Sequence, residues 1–189
     1  MSSIYDRNMT AKSVIHSLPD HIGLIRTLAI DDIAAVTAIY GHHVKTGTAS
    51  FETIAPSVED MTSRFTQLHK TGYPTLVAVD TDDTVLGFAY AGPHKPRAAY
   101  KHTVEDSIYV HPDHMGMGIG KALLVSIIKQ AQLLGYKQMM AVIGDSDNHG
   151  SINLHKGLGF THIGTALKIG FKFNKMIDVV YMQHDLENS

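Results

Sequence analysis

Apolar positions recur along this chain at two spacings, every second residue or every third and fourth, and the spacing changes from segment to segment. The run from Ile22 to Leu28 predicts a first strand. Asp31 and Asp32 then offer carboxylates to the start of a helix whose apolar positions, Ile33, Val36, Ile39 and Tyr40, follow helical spacing. Ser57 caps a second helix with Glu59 and Asp60 in its first turn, and Gly72 marks its end. Leu76 to Val79 and Val85 to Ala91 flank Asp82-Asp83 as the arms of a hairpin. Ala91 to Tyr100, rich in proline and basic residues, reads as a loop.

Val104 to Val110 alternates as a strand does, with Val104, Asp106, Ile108 and Val110 on one side and Glu105, Ser107 and Tyr109 on the other. A glycine-rich turn, Gly116-Met117-Gly118-Ile119-Gly120, leads into an amphipathic helix with a stripe of Ile119, Leu123, Leu124, Ile127, Ile128, Ala131 and Leu134, stopped at Gly135. Met139 to Ile143 predicts another strand, Ser151 to Leu158 a short helix closed by Gly159, and the tail two more strands ending near Gln183. No repeat or linker interrupts residues 22–189, which read as one α/β domain; residues 1–21 lack a continuous apolar core and read as a flexible N-terminal extension.

Composition removes several classes of function. The 189 residues carry 16 Lys+Arg against 18 Asp+Glu, so no basic excess serves a phosphate backbone, and nucleic acid is not an expected partner. No apolar run approaches the roughly 20 residues that span a bilayer, so no membrane is expected and the cytoplasm is the default. With no cysteine, disulfides, thiolate metal sites and any cysteine-linked covalent intermediate are ruled out. His111 and His114 lack a nearby third ligand and a His-Glu-x-x-His pattern, and the Asp145 to Lys156 stretch has lysine where a calcium loop needs its last glutamate; no metal is expected. Ser and Thr show no recognisable triad arrangement.

A strand, closely spaced glycines and a helix start form a cradle for phosphate, because amides converge without a Cβ in the way and the free N–H groups of a helix start attract anions. Lys121 adds a positive charge. Met115 and Ala122 break the Walker pattern, and Lys121 stands where a dinucleotide fingerprint needs its third glycine. The turn alone is equally compatible with a ligand-free tight connection.

Taken with its flanks, the segment Val104-Glu105-Asp106-Ser107-Ile108-Tyr109-Val110, His111-Pro112, Gly116-x-Gly118-x-Gly120 resembles the acetyl-CoA-binding segment of the GNAT superfamily. Further matches in order, among them Ser50-Phe51-Glu52, Gly72-Tyr73-Pro74, Arg97-Ala98-Ala99-Tyr100, Leu154-His155 and Gly170-Phe171-Lys172-Phe173, resemble the phosphinothricin and methionine sulfoximine N-acetyltransferases. The resemblance implies a mixed α+β fold: a central, mostly antiparallel twisted sheet whose parallel strands splay, with flanking helices. It implies that the backbone of Ile108, Tyr109 and Val110 pairs with the pantetheine arm. The amides of Gly116, Met117, Gly118, Ile119, Gly120 and Lys121 would hold the pyrophosphate, and Asn148 and Ser151 would contact the cofactor. Met115 departs from the family's usual Arg or Gln, and His102 and Met176 replace aromatic residues, which alters the pocket's shape.

Acetyl transfer needs an uncharged amine, since an ammonium has no lone pair with which to attack a thioester. Glu105 resembles the family's catalytic carboxylate, although a lone strand glutamate is more often solvated or salt-bridged. His155 stands where many such enzymes carry a tyrosine that protonates the departing thiolate; it is one of 13 histidines and its position singles it out. Direct attack in a ternary complex follows, with a backbone N–H near Val110 polarising the carbonyl. Lys95, Pro96, Arg97 and Tyr100 resemble the family's substrate loop and, with Glu105, Asp106 and Ser107, would bind a small amino-acid-like substrate carrying oxyanions. A solvated basic loop is the plainer alternative. Another amine (a polyamine, an aminoglycoside or a protein N-terminus) and a silent acyl-CoA-binding module remain competing readings. The family's habit, with the apolar C-terminal strands, leads us to expect a homodimer.

Overall fold

The computed structural model describes Pro19 and residues 21–187, so the N-terminal extension expected for residues 1–21 lies almost wholly outside the described residues. Eleven main elements follow in order: β1 (Leu24–Thr27), α1 (Ile33–Thr46), α2 (Val58–Lys70), β2 (Thr75–Val79), β3 (Val85–Pro93), β4 (Thr103–Val110), α3 (Ile119–Leu133), β5 (Gln138–Gly144), α4 (His149–Gly157), β6 (Thr161–Lys172) and β7 (Lys175–Asp185). The strands form one sheet in the order β1-β2-β3-β4-β5-β7-β6. Every neighbouring pair is antiparallel except β4 and β5, which run parallel.

Two apolar layers hold the sheet between helices. Strand alternation sends Val77, Val79, Phe88 and Tyr109 to one face, where Ile33, Val36, Ile39 and Tyr40 of α1 and Met61 and Phe65 of α2 cover them. Ala89, Ala91, Val104, Met139 and Ala141 face the other way against Ile119, Leu123, Leu124 and Ile127 of α3. Fully burying each such Leu, Ile or Phe contributes about 1.5–3 kcal/mol. α2 starts as its sequence foretells: Ser57 Oγ accepts from the Asp60 amide at 3.1 Å and Asp60 Oδ2 accepts from the Ser57 amide at 3.0 Å, a reciprocal cap.

Three local readings are corrected. Asp32 does not cap α1 through its side chain: it takes the Ala29 amide at 2.7 Å and pairs with buried Arg26. Leu134 leaves the apolar stripe and is half exposed, because α3 ends at Leu133 and Gly135 turns the chain with φ of 82°. The predicted loop also begins later, as β3 continues to Pro93, opposite Val104.

The long loop between α1 and α2 is locked onto the far end of the sheet. Lys172, buried, donates to the carbonyls of Gly47 at 2.8 Å and Ser50 at 2.6 Å. The Phe51 ring lies against Gly144 and Gly170, where a Cβ would sit 2.8 and 2.2 Å from ring carbons. No helix among the described residues is long and apolar enough to cross a membrane.

Candidate active site

β4 and β5 pair over only three residues, Thr103↔Gln138, Val104↔Met139 and Glu105↔Met140. Beyond them β4 stays paired with β3 up to Gly87↔Val110, and β5 stays paired with β7 up to Gly144↔Val179, so the two central strands diverge. The gap opens into a cavity of about 470 Å³ bordered by Asp106 to Val110 on one side and Ala141 to Gly144 on the other. Along it β4 presents an unpaired sheet edge, ready to bond an extended ligand. One of its groups is engaged already: His43 of α1 donates through Nε2 to the Val110 carbonyl at 2.8 Å. Burial lowers the basicity of His43 and outweighs that carbonyl, which favours the proton.

The glycine-rich turn closes the cavity's wide end. Gly116 and Gly118 adopt φ of 78° and 85°, conformations that side chains resist, and α3 begins immediately after. The first backbone bond of α3 runs from the Ala122 amide to the Gly118 carbonyl, which leaves the amides of Ile119, Gly120 and Lys121 ahead of the helical ladder. Of the eleven positions expected to hold the cofactor, ten border this one cavity: Ile108, Tyr109, Val110, Gly116, Gly118, Ile119, Gly120, Lys121, Asn148 and Ser151. Met117 does not; the turn carries its side chain outward. Met115 lies on the wall and offers no hydrogen bond there. An open sheet edge leading to free amides and a lysine suits a ligand with an extended polar arm and an anionic end, and the volume falls within the about 300–1,000 Å³ of small-ligand sites.

α4 delivers His155 to the narrow end. Asn148 Oδ1 caps the helix by accepting from the Ser151 amide at 3.2 Å, and His155 follows one turn later. Its ring is buried, edge-on to Phe160, with Nδ1 2.7 Å from the Ser151 carbonyl and Nε2 3.0 Å from Asp106 Oδ2. Burial opposes charge on the ring, but the Asp106 hydrogen bond and charge with the Ser151 carbonyl prevail, and the ring holds its proton above the usual histidine range. Both nitrogens expected to serve the thiolate are thus engaged within the protein.

Glu105 projects to the opposite face of β4. Its Oε2 accepts from His94 Nδ1 at 3.1 Å, and His94 stands edge-on to Tyr100. Burial raises the Glu105 carboxyl above the ordinary range, the charge of Asp106 adds to this, and His94 and Lys95 work against it. Lys95, Pro96, Arg97 and Tyr100 border a second hollow of about 540 Å³ with Arg64 and Tyr73. The substrate residues expected together are therefore divided: Asp106 and Ser107 on the first cavity, the basic loop on the second, and Glu105 linked to that loop through His94.

Sequence reasoning missed His43 and His94, which nothing distinguishes from the other histidines until the fold sets them against Val110 and Glu105. It also missed the polar wall below the α1–α2 loop. There Tyr40 and Ser50 hydroxyls meet at 2.9 Å, and Arg64 bonds Glu52 Oε1 at 2.8 Å while lying over the Tyr40 ring.

Residues 37–160 match the model of the acetyltransferase (GNAT) family, and the chain belongs to that family of N-acetyltransferases. It is similar to a phosphinothricin N-acetyltransferase of Alcaligenes faecalis, 44% identical over 86% of this chain and 82% of that protein. An L-methionine sulfoximine/L-methionine sulfone acetyltransferase of Pseudomonas aeruginosa is 36% identical over 86% of this chain and 94% of its own length. A GNAT phosphinothricin acetyltransferase from Sinorhizobium meliloti, solved in complex with AcCoA, superposes with a TM-score of 0.83 at 40% identity, covering 85% of this chain and 86% of that one.

Proposed function

We propose that this protein transfers the acetyl group of acetyl-CoA directly to the amino group of a small amino-acid analogue such as phosphinothricin or methionine sulfoximine. The observation that carries the reading is the splay of β4 from β5 with ten of eleven expected cofactor positions around the resulting cavity. Acetyl-CoA would supply the activated acyl group. The β4 edge at Ile108 to Val110 holds its arm, and the amides of Ile119 to Lys121 hold its diphosphate.

Glu105 acts as the base. An amino-acid amine is mostly protonated at neutral pH, and a carboxylate raised by burial is a stronger base toward that proton than an ordinary one. Lys95 and Arg97 draw the substrate's oxyanions toward the same face, and Arg suits a phosphinate or carboxylate because its fork bonds two oxygens at once. The same two cations disfavour polyamines and aminoglycosides. The protein works as a homodimer in the cytoplasm. The edge strand β6 supports this with Ile163, Leu167, Ile169 and Phe171, all more than half exposed.

CoA-thiol release measured against a panel of amines tests the reading. Turnover with amino-acid analogues is expected. Turnover with polyamines or peptide N-termini alone assigns a different amine, and acetyl-CoA binding without turnover makes the chain a binding module.

A further inference from the structure

Asp106 follows Glu105 on β4, so strand alternation turns the two carboxylates to opposite faces of the sheet. Its Oδ2 contacts His155 Nε2 at 3.0 Å, and the two side chains are 3% and 5% exposed. The nearer partner of His155 Nδ1 is the Ser151 carbonyl at 2.7 Å, which accepts only, with the Ser151 hydroxyl farther off at 3.4 Å, so Nδ1 carries a proton and Nε2 is the nitrogen that answers Asp106. Asp106 Oδ1 is different: it is buried and has no hydrogen-bond partner, and the residue borders the cavity where β4 leaves β5. A buried carboxylate oxygen without a partner is costly, and a ligand proton at that point would remove the cost.

We propose that Asp106 is a catalytic residue that carries a proton between nitrogen and sulfur through Oδ1, and that His155 is its positioning residue rather than the group that meets the sulfur. This rests on the acetyl-CoA reading above. Acetylation of an amine in its ammonium form removes two protons from nitrogen. The first leaves on the Glu105 face before attack and goes to solvent. Then the C–N bond forms and the C–S bond breaks, its electron pair passing to sulfur. The second nitrogen proton passes to Oδ1 and on to that sulfur, so the products are the neutral amide and the thiol. The carboxylate and imidazolium are then as they were at the start. Oδ2 stays held by His155 throughout, which fixes the carboxylate plane. Of the other titratable groups, Glu105 bears on Asp106 from the neighbouring position of β4, and His43 from α1, His114 and Lys121 border the same cavity.

Asp106→Asn keeps the shape and a contact to Nε2. The expected result is a kcat lower by about 10²-fold, with KM and the acetyl-CoA Kd from calorimetry changed less than about threefold. Asp106→Ser, smaller and free to refold around a water, gives the same loss if Asn distorts the fold. His155→Gln, still able to donate to Oδ2, retains more kcat than His155→Ala, and the Asp106→Asn, His155→Ala double variant is no slower than Asp106→Asn. In the wild-type protein without ligand, ¹⁵N NMR of the His155 ring shows both nitrogens protonated to higher pH than in a free imidazole. Near wild-type kcat in Asp106→Asn, or a ring that loses its second proton at or below the pH at which a free imidazole does, overturns the proposal. Failure of the wild type to bind acetyl-CoA in calorimetry overturns the cofactor reading beneath it instead.

Discussion

Glu105 and His94 meet across the loop between β3 and β4, Nδ1 donating to Oε2 at 3.1 Å, so the partly buried carboxylate has a partner outside the cavity. The base form is the carboxylate. Activity is therefore lost as pH falls through a value raised above the ordinary about 4.3 of glutamate, chiefly by burial. His94 opposes that shift, so His94→Ala moves the acid limb of kcat/KM to higher pH. A limb that stays in place would remove His94 from the base's environment.

Glu105→Gln lowers kcat by about 10²-fold while the acetyl-CoA Kd stays within experimental scatter, because its side chain lies on the face away from the cavity. Stopped assays with the amino-acid analogue and calorimetry with acetyl-CoA together check this. Full activity in the variant across the pH range removes Glu105 from the chemistry.

Gly118 holds φ of 85° immediately before α3. Valine there strains the backbone by roughly 1–2 kcal/mol or more and disturbs the first free amides of the helix. Affinity for acetyl-CoA should fall at least about tenfold, or 1.4 kcal/mol. Gly157→Ala, at a position with nothing within 4 Å of the added Cβ, is the control and should bind normally.

Arg26 forks onto Asp32, Nη1 to Oδ2 at 2.7 Å and Nη2 to Oδ1 at 2.8 Å, with both side chains almost wholly buried. Arg26→Met leaves the Asp32 charge uncompensated inside the protein and should destabilise it by about 3–5 kcal/mol in urea unfolding. A loss below 1 kcal/mol would mean that water reaches the pair.

Phe171→Asp places a charge at the C-terminal end of the exposed row on β6. If the proposed homodimer pairs through this row, sedimentation shows it replaced by monomer with the helical and strand content kept. An unchanged dimer puts the interface on another face.

The element order and the face each element buries were legible because both are local: a spacing of two at Val104 to Val110, a spacing of three and four at Ile119 to Ala131, and a cap at Ser57. Leu134 misled because periodicity continues past the residue where Gly135 halts the helix. The glycine turn and the β4 edge were also legible, since residues 104–121 form one continuous segment. The partnerships around the site were not. His94 reaches Glu105 over 11 positions, His155 reaches Asp106 over 49 and Lys172 reaches Gly47 over 125. No local spacing encodes these pairs; they exist only once the sheet has brought the segments together. Asp32 shows the same limit, since its carboxylate is claimed by Arg26 on β1 in preference to the helix that follows it.

The three-pair seam between β4 and β5 also divides the protein mechanically, with four strands on one side and three on the other. Peeling β5, β7 and β6 away along that line breaks few cross-strand bonds, which makes it the natural route of partial opening. A ligand arm lying in the wedge acts as mortar between the halves. Its grip would appear as slower amide exchange from Ser107 to Val110 and as added stability of about 2.7 kcal/mol at a hundredfold excess over Kd.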